Sequence, residues 1–147
     1  NCRVHKYDAT GALITSWGSP GSANPGDFNL PHGVGLDNEG RVLVCDRENN
    51  RIQLFDQDGV YIEMWTGLKR PTSVAFGPDG EVYVTELEQR LTILDSNGNV
   101  LSRLGGESSQ MSGGFVAPHC AAVDSFGDLY VGEVTTGSRI QKFARRR

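Results

Sequence analysis

Two histidines stand in the same local setting: His32 follows Pro31 and His119 follows Pro118, and each opens a short apolar run. A neutral imidazole suits Zn²⁺, and a catalytic zinc keeps three protein ligands and one open position for water or substrate. His32 and His119 are therefore candidate metal ligands, incomplete as a pair. Arg47, in the stretch CDREN, is a third candidate, because a guanidinium can clamp a carboxylate through two parallel hydrogen bonds. Plainer roles are open to all three. The histidines could simply bond a carbonyl or water, and Arg47 could pair with Glu48, Asp46 or Glu86.

What must position these residues is a repeat. The segments NCRVHKYD (1–8), NNRIQLFD (49–56), EQRLTILD (88–95) and GSRIQKFA (137–144) superpose without gaps, each with Arg in third place. Turns recur as well, at 8–11, 37–40, 56–59, 77–80, 95–98 and 124–127; all close on Gly and all but Gly77-Pro-Asp-Gly80 open on Asp. An Asp in first place can accept bonds from backbone amides two or three residues on, and Gly in last place takes the left-handed conformation of a bulged hairpin. Between the turns lie short runs rich in β-branched and aromatic residues, such as Arg41-Val-Leu-Val-Cys45 and Glu81-Val-Tyr-Val84. No segment sustains a helical period.

Aligning Pro31, Pro71 and Pro118 gives units of 40 and 47 residues, the longer with an insertion near Gly106–Gly113. Four short strands per unit match one blade of a β-propeller. The expected strands run two, four, four and three, dividing the chain at 1–18, 25–65, 68–105 and 114–147, with an incomplete blade at each end. Propellers close their rings, so about half of a parent protein is expected to lie outside this sequence. First strands line the central channel, so the residues after Pro31 and Pro118 converge on the axis, with Thr72 in the blade between. Arg3, Arg51, Arg90 and Arg139 recur in every unit and are expected to tie blade to blade. Trp17 and Trp65 are expected to pack between blades, and Gln53 and Lys142 to face outward.

Composition narrows the function classes. The net charge is −4 and the only basic run is Arg145-Arg146-Arg147, so no basic face for nucleic acid is expected. No apolar stretch approaches the ~18 residues of a membrane span. Cys2, Cys45 and Cys120 form an odd set without CxxC spacing, which points neither to a disulfide framework nor to a zinc knuckle. None of this fixes a compartment.

The arrangement of Pro, Gly-x-Val/Leu-Tyr/Leu-Val and Asn-x-Arg-Ile-x-x-Phe resembles NHL repeats over nearly the whole chain. Within that class, LPHGVGLDNEGRVLVCDRENNRIQLFD (30–56) and FVAPHCAAVDSFGDLYVGEVTTGSRIQKF (115–143) are similar to the propeller of peptidyl-α-hydroxyglycine α-amidating lyase. The resemblance implies a six-bladed propeller that splits a peptide ending in α-hydroxyglycine into a peptide amide and glyoxylate, with zinc held by three histidines. His32 and His119 match two of these ligands, and Arg47 matches an active-site arginine. A third histidine, a tyrosine and another arginine would lie in blades outside this sequence. Cys120 stands where the family has an acidic calcium ligand and Ala117 where it has a methionine, which puts a structural calcium in doubt. His5 aligns with Gln53, Thr92 and Gln141 in a third strand, away from the axis. The other function carried forward is a noncatalytic NHL propeller binding a protein, peptide or glycan on one face.

Overall fold

A computed structural model describes residues 1–146, and among them the regular structure is strand apart from a single 3-10 turn, Arg47–Asn49. Strands β1 (Val4–Tyr7) and β2 (Leu13–Trp17) form an antiparallel hairpin. A connection follows that holds a short parallel pair, β3 (Ser19–Pro20) and β4 (Asp27–Phe28), not expected from the repeat. Next come two four-stranded antiparallel sheets, each in sequential order. The first comprises β5 (Pro31–Leu36), β6 (Val42–Asp46), β7 (Arg51–Phe55) and β8 (Tyr61–Trp65). The second comprises β9 (Pro71–Phe76), β10 (Val82–Glu86), β11 (Arg90–Leu94) and β12 (Val100–Gly105). A three-stranded sheet of β13 (Pro118–Val123), β14 (Leu129–Glu133) and β15 (Ile140–Phe143) ends the fold. Among the described residues no helix is long and apolar enough to cross a membrane.

The repeat turns show why Asp opens them. Asp8, Asp37, Asp56, Asp95 and Asp124 each accept, through Oδ1, the backbone N–H groups two and four residues on. The second bond therefore reaches one residue farther than expected and pins the residue immediately before the returning strand. In the turn that opens on Gly77, the Glu81 carboxylate accepts from Asp79 N instead. Cys2, Asn50, Gln89 and Ser138, in second place of the aligned segments, all adopt the left-handed conformation, with φ of 54°, 55°, 58° and 37°.

The recurring arginine works through a buried carboxylate. Asp46, Glu86 and Glu133 end the second strands of their sheets and pair with Arg51, Arg90 and Arg139 at 2.7, 2.5 and 2.6 Å. Each carboxylate also accepts a backbone N–H from the connection entering its blade: Asn29 N, Lys69 N and Val116 N respectively. The arginines finish the tie by donating to carbonyls of the same connections, including Asp27, Gly67 and Gly114. The bond thus joins a blade to the segment arriving from its neighbour. Arg3, by contrast, donates to the Ser16 hydroxyl at 3.3 Å.

Gln53 corrects an expectation. It is completely buried, accepting Gly26 N–H and donating to the Asp27 carbonyl and to Asp46. Backbone groups of the entering connection lie over the third strand and need partners away from water, which a side-chain amide supplies at both ends. Gln141 does the same for Gly113 and Gly114. Lys142 does sit near the surface, paired with Asp128 at 2.8 Å. Between sheets, the Trp17 ring lies against Gly59 and the Trp65 ring against Gly98, each indole covering a turn of the next blade. Apolar packing is continuous across the first four-stranded sheet and the next, from Leu43 and Ile52 through Trp65 to Val74, Val82 and Val84.

Candidate functional site

The first strands β5, β9 and β13 lie side by side. They approach closely at Gly33, where a Cβ would come within 2.4 Å of the Thr72 carbonyl oxygen, so no larger residue fits without parting the strands. Each first strand begins with proline, which lacks the N–H that a ladder uses and so belongs at a strand start. Regular pairing then breaks at the next residue. The registers slip between Pro31 and Val34, between Pro71 and Ser73, and between Pro118 and Cys120. His32, Thr72 and His119 are thus bulge residues, and a bulge re-aims a side chain out of the ordinary alternation.

The outcome is a histidine pair drawn from two non-adjacent sheets. The rings of His32 and His119 lie 4.6 Å apart between centroids, edge to face. His32 Nδ1 is 2.8 Å from the Thr72 carbonyl oxygen, so this nitrogen carries the proton and donates. In the neutral ring this bond leaves the lone pair on Nε2, the orientation in which a ligating imidazole is usually held by a backbone carbonyl. Thr72 is itself buried, with its hydroxyl 3.0 Å from the Thr85 carbonyl, 2.9 Å from the Thr85 hydroxyl and 3.2 Å from the Pro118 carbonyl. It spans the gap between the two histidine-bearing strands. Sequence reasoning treated Thr72 only as the absence of a ligand, and its main-chain carbonyl leaves no side-chain signal.

Arg47 occupies the 3-10 turn that follows β6, and its Nε donates to Glu48 Oε1 at 2.8 Å. Of the three carboxylates open to it, Arg47 pairs with Glu48, while Asp46 and Glu86 are engaged with Arg51 and Arg90. Burial holds the His119 pKa below its ordinary value, and the nearby His32 and the Arg47 guanidinium lower it further. A neutral imidazole is the form that binds a metal. Both histidines therefore fit a metal ion chemically. Among the described residues no group of three or more His, Cys, Asp or Glu side chains is gathered to hold one, and the site as described consists of the two imidazoles. His5 lies apart, its ring beside Tyr7. Cys120 is exposed and Ala117 buried.

The sheets, the repeat turns and the carboxylate–arginine ties define a β-propeller segment. An NHL repeat model matches residues 28–55, and the chain is a β-propeller segment of the NHL-repeat type. It is 35% identical to NHL repeat-containing protein 3 of Homo sapiens, over 97% of this chain and 43% of that protein. It is more distantly similar, at 28% identity over 90% of this chain and 17% of the relative, to peptidyl-glycine alpha-amidating monooxygenase B of Xenopus laevis. The chain thus spans less than half the length of these relatives. Among solved structures, virginiamycin B lyase from Staphylococcus aureus superposes with a TM-score of 0.69 at 17% identity, covering 99% of this chain and 50% of that one. That likeness concerns the fold alone.

Proposed function

We propose that His32 and His119 supply two ligands of a zinc centre at the channel end of an NHL propeller, and that the whole protein is an amidating-lyase-like enzyme. In this reading it cleaves the C–N bond of a peptidyl-α-hydroxyglycine to give a peptide amide and glyoxylate. The observation that carries it is the histidine pair itself: two bulged imidazoles with centroids 4.6 Å apart, one held by the Thr72 carbonyl with Nε2 free. Zinc bound there would lower the pKa of a ligated hydroxyl and polarise an oxygen, as cleavage of a carbinolamide requires. Arg47 would receive the substrate carboxylate through its Nη groups, since its Nε is already committed to Glu48. Thr72 would keep His32 in the ligating tautomer, and the burial of His119 keeps that ring neutral. The third ligand would come from blades outside this chain, and a structural calcium forms no part of the reading.

Zinc content and glyoxylate release from α-hydroxyhippurate test the proposal on the full-length protein. One zinc per molecule, lost in the His32→Ala, His119→Ala double variant together with glyoxylate release, is the expected result. Full-length protein free of zinc after growth in zinc-replete medium would end it.

A second reading is favoured by the identity over nearly the whole chain, 35% to NHL repeat-containing protein 3 of Homo sapiens against 28% to the amidating monooxygenase B of Xenopus laevis. There the propeller is a noncatalytic scaffold for a protein or peptide. It predicts that the double alanine variant keeps both ligand binding and thermal stability.

A further inference from the structure

The Glu48 carboxylate holds two guanidinium groups on the same oxygen. Oε1 accepts Arg47 Nε at 2.8 Å from the adjacent position in the chain, and Arg70 Nη2 at 2.8 Å from the entry to the next blade. Arg70 is anchored on both sides of its α-carbon: its N–H donates to Asn50 Oδ1, its carbonyl accepts Leu87 N–H, and its φ is 52°. A non-glycine residue in that region is uncommon and persists where its surroundings over-determine it. Among the described residues its buried Nε has no hydrogen-bond partner, and Glu48 is the one polar side chain seen to orient this guanidinium.

We propose that Glu48 and Arg70 are positioning residues that set the orientation of Arg47 and the net charge of the cluster around it; the inference rests on Arg47 being the carboxylate clamp of the reading above. A guanidinium offers two bidentate edges, Nε with Nη2 and Nη1 with Nη2. Glu48 takes Nε, which leaves the Nη1–Nη2 edge for a ligand and fixes its direction. The same carboxylate would by itself cancel the charge of Arg47 and repel an incoming anion. Arg70 removes that conflict, because two cations on one carboxylate leave the group with a net charge of +1. Arg70 thus acts on the site from the neighbouring blade without touching the ligand.

The test uses the full-length protein, Arg70→Met, Arg70→Lys and Glu48→Gln, and two readouts. The first is hydrogen exchange of the Arg47 Nε–H, followed by NMR and assigned with Arg47→Ala. Protection should fall about ten-fold in Arg70→Met and Glu48→Gln, and recover in part in Arg70→Lys. The second is binding of hippurate, with hippuramide as the control lacking a carboxylate. Hippurate should bind roughly five-fold more weakly to Arg70→Met, with hippuramide unchanged. In an Arg47→Ala background, Arg70→Met should have no further effect. Unaltered Arg47 protection in Arg70→Met, or an undiminished Arg70→Met effect without Arg47, overturns the inference. Should Arg70→Met fail to fold, Glu48→Gln carries the same exchange test. If the wild type ignores hippurate, the clamp reading fails separately, and the exchange data still decide whether the relay exists.

Discussion

Asp46→Asn removes the charge at the centre of the tie between the first four-stranded sheet and the connection that enters it. Asp46 is completely buried, and Oδ2 accepts Arg51 Nε at 2.7 Å, Asn49 Nδ2 at 2.8 Å and Gln53 Nε2 at 3.2 Å, while Oδ1 accepts Asn29 N at 2.8 Å. All four neighbours are donors, so an asparagine amide meets a conflict whichever way it turns. Its NH₂ must face either the Asn29 N–H or three side-chain donors. Removing one member of a buried ion pair costs about 3–5 kcal/mol, and a buried donor left unsatisfied costs about 1–3 kcal/mol. Arg51 keeps the carbonyls of Ser22 and Asp27, at 3.2 and 2.7 Å, which offsets part of the loss. The expected destabilisation is about 3 kcal/mol, toward the low end of the ion-pair range. Denaturant unfolding of the full-length protein reads it as a lower midpoint at unchanged slope. A shift worth less than about 1 kcal/mol would refute the claim that this carboxylate anchors the blade. Because Arg47 follows Asp46 directly, the variant should also loosen the turn that carries it.

Three further outcomes follow from the repeat and the burial of its parts. Gly98→Ala should cost about 2 kcal/mol, since φ is +80° and a Cβ would come within 2.5 Å of the Trp65 ring; Gly80→Ala, at φ +87° with open space around it, should cost only about 1 kcal/mol, and equal costs would deny the indole its role. Burial pushes the Cys45 thiol up to about 12, so a thiol reagent at neutral pH should label the exposed Cys120 and leave Cys45 intact until unfolding; mass mapping checks this, and early labelling of Cys45 would contradict it. Burial alone would raise the Glu133 pKa, but bonds from Val116 N–H, Arg139 and Ala117 N–H outweigh it and the folded value is lowered. Its contribution is therefore complete above the ordinary carboxylate range and is lost as pH falls through the folded value, so Glu133→Gln should flatten the loss of stability below about pH 4.5 while Asp8, Asp27 and Asp95 keep their own share.

What the sequence made legible depended on whether a residue acts through its own local pattern. The turns were readable because Asp and Gly are needed at fixed offsets, and the recurring Arg because a structural tie must repeat with the blade. The convergence of His32 and His119 followed from their shared position after proline, where the missing N–H sets the bulge. Gln53 was misplaced because the connection that buries it, residues 26–27, lies far from it in sequence and offers only backbone groups. Thr72 escaped notice for the same reason in reverse: it serves the site through a carbonyl that every residue carries. The Glu48–Arg70 bond joins residues with no repeat spacing between them, and the other blades have no counterpart of it among the described side-chain bonds. Asp46–Arg51 recurs as Glu86–Arg90 and Glu133–Arg139 and so belongs to the scaffold. Arg47, Glu48 and Arg70 break the repeat, and the Arg47 guanidinium lies near enough to His119 to help lower its pKa; departure from a repeat is where a propeller built of near-identical blades has room for a site of its own.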